Sequence, residues 1–158
     1  MECQFGNRTN AFRENIKFII DDEDYDKFVK NYSFRLDDFG YVIYSSRKDG
    51  LHNKLLHRVM MGEPDDLQVD HINVNKLDNR RSNLRVCTNQ QNKCNSNKYS
   101  NNTSGFKGVW FDKPKQKFRA RITFNGKKKH LGYFDTAEEA HEAYQQASAK
   151  YHGDFGRF

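Results

Sequence analysis

Apolar and polar positions along the chain change rhythm three times. From residue 15 to 64, short β-prone runs alternate with turns. NIKFII (15 to 20) predicts a strand. It runs into DDEDYDKFVKNY, where Asp21 or Asp22 is placed to cap a helix and the acidic first turn suits the helix dipole. Tyr25, Phe28, Val29 and Tyr32 fall at i, i+3, i+4 and i+7, the stripe of a helix buried on one side. The acidic cluster from Asp21 to Asp26 reads as a capped, solvated helix start rather than a metal site. SFRLDDFGYVIYSSRKDGLHNKLLHRVMMGEP predicts hairpins: DDFG and RKDG are turns, YVIYS is a strand, and LHNKLLHR returns. His57 opens a short helical piece ending near Gly62. Residues 1 to 14 carry little pattern.

The middle stretch, VDHINVNKLDNRRSNLRVCTNQQN (69 to 92), lacks the spacing of an amphipathic helix. Two β-prone islands, Val69 to Ile72 and Leu84 to Cys87, precede a polar, helix-compatible run from Thr88 to about Ser96. The pattern predicts strand, loop, strand, short helix. A centre so poor in apolar residues reads as a site rather than a core.

The last third alternates cleanly. GFKGVWFDKPKQKFRARITFNGKKKHLGYF predicts strands at Lys107 to Phe111, Lys117 to Phe124 and Lys128 to Phe134, with Asn125-Gly126 as a type I′ turn. DTAEEAHEAYQQASAKYHG opens on a capping box, Asp135 or Thr136 followed by Glu138 or Glu139. Ala137, Ala140, Ala143, Tyr144, Ala147 and Tyr151 form a helical face of mostly small residues. On the middle strand Phe118, Ala120, Ile122 and Phe124 face the helix, and Arg119, Arg121 and Thr123 face away.

Composition narrows the function. The net charge is +6 with a pI near 9.2, which favours an anionic partner. Residues 103 to 158 carry 11 Lys and Arg against 6 Asp and Glu, whereas residues 1 to 102 carry 16 against 15, so the basicity sits at the C-terminal end. The polar stretch NSNKYSNNTS (95 to 104) coincides with this shift and reads as containing a linker. No apolar run approaches the roughly 20 residues that cross a bilayer, so no membrane partner is expected. MECQFGNRTN lacks the apolar core of a signal peptide. Three cysteines, Cys3, Cys87 and Cys94, form no C-x-x-C pair and suit a reducing cytoplasm.

The chemistry of the middle stretch is specific. Asp70 offers a hard carboxylate oxygen, and an asparagine carbonyl offers a second, neutral one, which is how magnesium is commonly held beside a phosphate. His71 titrates close enough to neutrality to take a proton from water. As strand neighbours, Asp70 and His71 point to opposite faces, so a bend or a packed helix is needed to aim both into one cleft. Lys76, Arg80 and Arg81 give a basic loop beside them, Arg58 is a further candidate phosphate contact, and Arg47 and Lys48 lie on their turn.

The stretch resembles the HNH, or ββα-metal, endonuclease motif of phage and intron-associated homing enzymes, in the subgroup ending in Asn. Asn83 follows His71 by twelve residues and Asn92 by twenty-one, as that motif requires. The resemblance implies that Asp70 and Asn92 hold the metal (Mg2+, or Mn2+), that His71 is the general base, and that Asn83 orients it. It also makes His57, in the LHR segment, a candidate phosphate-contacting or supporting residue. The C-terminal module resembles the plant ethylene-response-factor type DNA-binding domain through GFKGV, KFRARI, HLGYFDTAEEAHEAY and HGDF. That match places Lys107, Trp110, Arg121, Thr123, Lys128 and His130 toward a DNA groove, with Arg119 on the same side of its strand. Several of these positions differ from the plant pattern, so the target sequence is not implied.

Together these readings give an α+β protein. An HNH nuclease domain spans 1–97 (ββα-metal core about 66–97, preceded by small hairpin and helix elements). A linker follows at 98–104, then a three-stranded antiparallel sheet on one helix at 105–158. The expected function is metal-dependent nicking of double-stranded DNA by a monomer, in the bacterial host cytoplasm where the gene is phage-borne. The alternative is a non-catalytic DNA-binding regulator with a relic nuclease fold.

Overall fold

The computed structural model describes residues 2–4, 17–30, 32–46, 50–98 and 102–158. Arg47 and Lys48 lie outside them. The chain divides into two compact units, Met1–Thr88 and Asn89–Phe158.

In the first unit, β1 (Glu2–Gln4) pairs antiparallel with β2 (Lys17–Ile19), and α1 (Asp22–Phe28) follows. Next come β3 (Ser33–Leu36), β4 (Val42–Ser46) and β5 (Leu51–Leu55), an antiparallel meander. A short helix α2 (Leu56–Met60) leads to the hairpin of β6 (Gln68–His71) and β7 (Leu84–Cys87). Phe18, Ile20, Val42 and Leu56 are fully buried at the centre, with Tyr44, Met60, Val69 and Leu84 around them. The helix α1 stops at Phe28, short of the expected Tyr32, yet the stripe packs as read. Phe28 and Val29 are buried in the core, and the chain turns so that Tyr25 and Tyr32 also lie against it.

The second unit opens with α3 (Asn89–Cys94). It continues with β8 (Val109–Asp112), β9 (Lys117–Phe124), β10 (Lys127–Phe134) and α4 (Ala137–His152). The sheet is antiparallel in the order β10-β9-β8. Asn125 and Gly126 both have positive φ, 49° and 71°, as a type I′ turn demands. Thr136 and Glu139 complete the capping box. The helix lies close on the sheet because the contact residues are small: Ala120 and Ala140 are fully buried, beside Ile122 and Tyr144. The first strand starts two residues later than the pattern suggests. Gly108, at φ 73°, sits where a Cβ would come within 2.3 Å of the Tyr144 ring, so the chain must turn there before extending.

Candidate functional site

The β6–β7 hairpin sets Asp70 opposite Arg85 and His71 opposite Leu84. Adjacent strand side chains point to opposite faces, yet Asp70 and His71 are only 6% and 4% exposed. The hairpin end is therefore covered on both sides. Arg85 reaches across the ladder and places Nε and Nη2 on Asp70 Oδ2 at 2.9 and 2.8 Å.

The His71 ring lies 4.9 Å from that of His57 and 6.0 Å from that of Tyr41, centroid to centroid. Its Nε2 faces Asn79 Oδ1 at 3.3 Å. An amide oxygen only accepts, so in this arrangement Nε2 carries the proton and Nδ1 is the basic nitrogen. Burial lowers the His71 pKa, against the opposing pull of Asn79 and of the charges on Asp70 and Asp78. Burial also pushes His57 down to about 3, helped by repulsion from His71 and Arg58. Among the described residues, His57 Nδ1 and Asn79 Nδ2 have no hydrogen-bond partner.

Asn83 turns its amide to the loop. Its Oδ1 accepts the Asn73 N–H at 2.9 Å, and its Nδ2 donates to the Asp78 carbonyl at 2.7 Å. It thereby closes the loop between the strands, in which Val74 is held at φ 59°. The strand β2 pins the same loop from behind: Ile19 N–H donates to the Leu77 carbonyl, and Asn79 N–H donates to the Ile19 carbonyl, each at 2.8 Å.

The cations expected to meet phosphate are engaged within the fold. Arg80 forks onto Asp78 at 2.8 and 2.7 Å. Arg81 forks onto Asp24 at 2.6 and 2.7 Å. Asp24 is buried, which corrects the expectation of a merely solvated acidic helix start. Arg58 donates to the carbonyls of Pro64 and Leu67 at 2.9 Å each. Lys76 donates to the Phe39 carbonyl at 2.7 Å and lies 4.5 Å from the Tyr41 ring centroid.

Asn92 lies half-buried on α3 and belongs to the second compact unit. Among the described residues no three His, Cys, Asp or Glu side chains gather as a metal nest. The candidate set is instead a carboxylate with amide oxygens. A buried carboxylate and an amide carbonyl are hard oxygen donors, so the residue types fit a divalent cation of the magnesium class.

In the second unit, strand register sorts the sheet faces. Trp110 pairs with Arg119, Arg121 with His130, Thr123 with Lys128 and Tyr133 with Arg119, so all seven share the face away from α4. The guanidiniums of Arg119 and Arg121 lie 5.1 and 4.7 Å from the Trp110 ring centroid. Lys107 departs from this set: its Nζ donates to the carbonyls of Cys94 and Ser96, each at 2.7 Å.

Comparison with known proteins bears on both units. The HNH endonuclease model matches residues 54–94, and the AP2 domain model matches residues 104–154. An uncharacterized HNH endonuclease of Acanthamoeba polyphaga mimivirus is 33% identical over 129 residues, 80% of this chain and 66% of that protein. The chain belongs to the HNH endonuclease family. Protein 3.8 of Escherichia phage T7 is 32% identical over 95 residues, 60% of this chain and 78% of that protein. The chain thus spans just under two thirds of the mimivirus relative's length. No solved structure matches significantly.

HNH nucleases generally use a divalent metal. Among the described residues, no helix is long and apolar enough to cross a membrane. The HNH match reaches residue 94 and so takes in α3, although α3 packs with the second unit. Sequence reasoning missed Asn79, Arg85 and Tyr41. Arg85 becomes visible only once the register is fixed, since it then stands opposite Asp70. Nothing local marks Asn79 among its many amide neighbours.

Proposed function

We propose that the protein is a metal-dependent, site-preferring DNA endonuclease of the homing type, which nicks duplex DNA as a monomer. The observation that carries this is His71, held through Nε2 by Asn79 beside Asp70 within the HNH-matched span. His71 is the general base: its Nδ1 takes a proton from the water that attacks phosphorus, with Asn79 fixing the tautomer and Asn83 fixing the loop. Asp70 and Asn92 are the residues that would hold the ion, Mg2+ or else Mn2+. When bound, such an ion supplies charge stabilisation at the leaving 3′ oxygen. Cleavage then leaves 5′-phosphate and 3′-hydroxyl ends. His71 is buried, with the His57 and Tyr41 rings nearby, so substrate entry must expose its Nδ1. Trp110, Arg119, Arg121, Thr123, Lys128 and His130 present the basic face that docks duplex DNA. His57 supports the His71 ring. The host-cell cytoplasm is the proposed compartment, in keeping with the phage relative.

The test is nicking of supercoiled plasmid with Mg2+ or Mn2+, comparing the protein with His71→Ala. A general base contributes roughly 10²–10⁴-fold, so nicking should fall by that order. Undiminished nicking by His71→Ala overturns the base assignment. Absence of cleavage by the unaltered protein, with intact DNA binding, favours the alternative of a non-catalytic regulator. Double-strand cuts at low enzyme concentration would indicate a dimer.

A further inference from the structure

Lys107 stands just before Gly108, where the chain turns into β8. Its ammonium does not point at solvent with the sheet's other cations. It donates to the carbonyl of Cys94, the last residue of α3, and to that of Ser96 just beyond, each at 2.7 Å. The final carbonyls of a helix lack intrahelical partners, and a cation there also suits the helix dipole. A second tie holds the other end of α3: Gln90 Nε2 donates to Asn125 Oδ1 at 3.1 Å, on the β9–β10 turn. The helix also packs against the turn Gly153–Phe155. Burial, with repulsion from Arg157, lowers the Lys107 pKa to about 8. For Lys107 to read a DNA groove, two carbonyls would have to give up their charge-assisted bonds.

We propose that Lys107 is a positioning residue, which fixes the Asn92-bearing helix to the AP2 module and so sets the nuclease's affinity for its divalent ion rather than contacting DNA. This rests on the reading of Asn92 as a metal ligand.

The full chain is compared with Lys107→Met, Lys107→Gln and Asn92→Ala. Mn2+ binding is measured by titration calorimetry without DNA, and duplex affinity by fluorescence anisotropy in EDTA. Lys107→Met should weaken Mn2+ binding on the order of tenfold, equivalent to about 1.4 kcal/mol. Lys107→Gln, which still donates to one carbonyl, should recover part of that loss. Duplex affinity in EDTA should stay at the unaltered value, and near-ultraviolet circular dichroism should report an intact sheet around Trp110. If Lys107→Met and Lys107→Gln instead lose duplex affinity while Mn2+ binding holds, the proposal is overturned and Lys107 is a groove contact. If Asn92→Ala weakens Mn2+ binding but neither Lys107 variant does, the proposal alone fails. If Asn92→Ala leaves Mn2+ binding intact, the metal-ligand reading fails and takes the proposal with it.

Discussion

Arg85 and Asp70 face each other across the hairpin, and two N–H groups of the one, at 2.8 and 2.9 Å, converge on a single oxygen of the other. A carboxylate that is 6% exposed needs such a partner, because removing one member of a buried pair costs about 3–5 kcal/mol. A divalent ion at Asp70 would compensate the same charge. Arg85→Met should therefore melt well below the unaltered protein in EDTA, and Mg2+ should raise its melting temperature by more. Equal Mg2+ stabilisation of both proteins in thermal melts would count against an ion at Asp70.

Acid should weaken the fold through His57. Its folded pKa is about 3 against an ordinary 6.5, so between those values the unfolded chain binds a proton that the folded chain refuses. The contribution is fully present above 6.5 and is lost as pH falls toward 3. At pH 5 the loss is about 2 kcal/mol. Urea midpoints at pH 7 and pH 5 should separate for the unaltered protein and draw together for His57→Phe. An unchanged separation in the variant would assign the acid sensitivity elsewhere.

Asn79 and Asn83 should fail differently. Asn79 touches the ring nitrogen, so Asn79→Ala should lower kcat by about 10–100-fold, the usual cost of losing an outer-shell partner. Asn83 bonds the loop backbone at Asn73 and Asp78, so Asn83→Ala should also lower the melting temperature. Single-turnover nicking rates beside melting curves separate the two effects. Identical profiles would mean that the loop, and not the amide at the ring, governs the base.

Duplex affinity should follow the exposed sheet face. The double variant Arg119→Ala, Arg121→Ala removes two guanidiniums stacked over Trp110. The slope of log affinity against log salt should shrink by about 2. His71→Ala should leave that slope alone. A slope unaffected by the arginines would place the duplex on another surface.

What the sequence reveals here is what neighbours decide. Asn125-Gly126, the Thr136–Glu139 capping box and the alternation through Phe118 to Phe124 are governed within a few residues, and each appears in the structure where the pattern put it. The hairpin bearing Asp70 and His71 was legible for the same reason. The missed features join distant positions. Arg81 and Asp24 lie 57 residues apart, and a buried acid in a polar run looks like any solvated one until its partner is in place. Lys107 carries the motif position of a groove reader, and only the carbonyls of Cys94 and Ser96 show where its charge goes.

The tie between Ile19 and the 77–79 segment has a practical corollary. A fragment trimmed to the matched span 54–94 would keep every motif residue and forfeit the brace behind them, including Asp24, on which Arg81 hangs. In this chain the loop that carries Asn79 is tied to a strand some fifty residues upstream of the imidazole, outside the matched span.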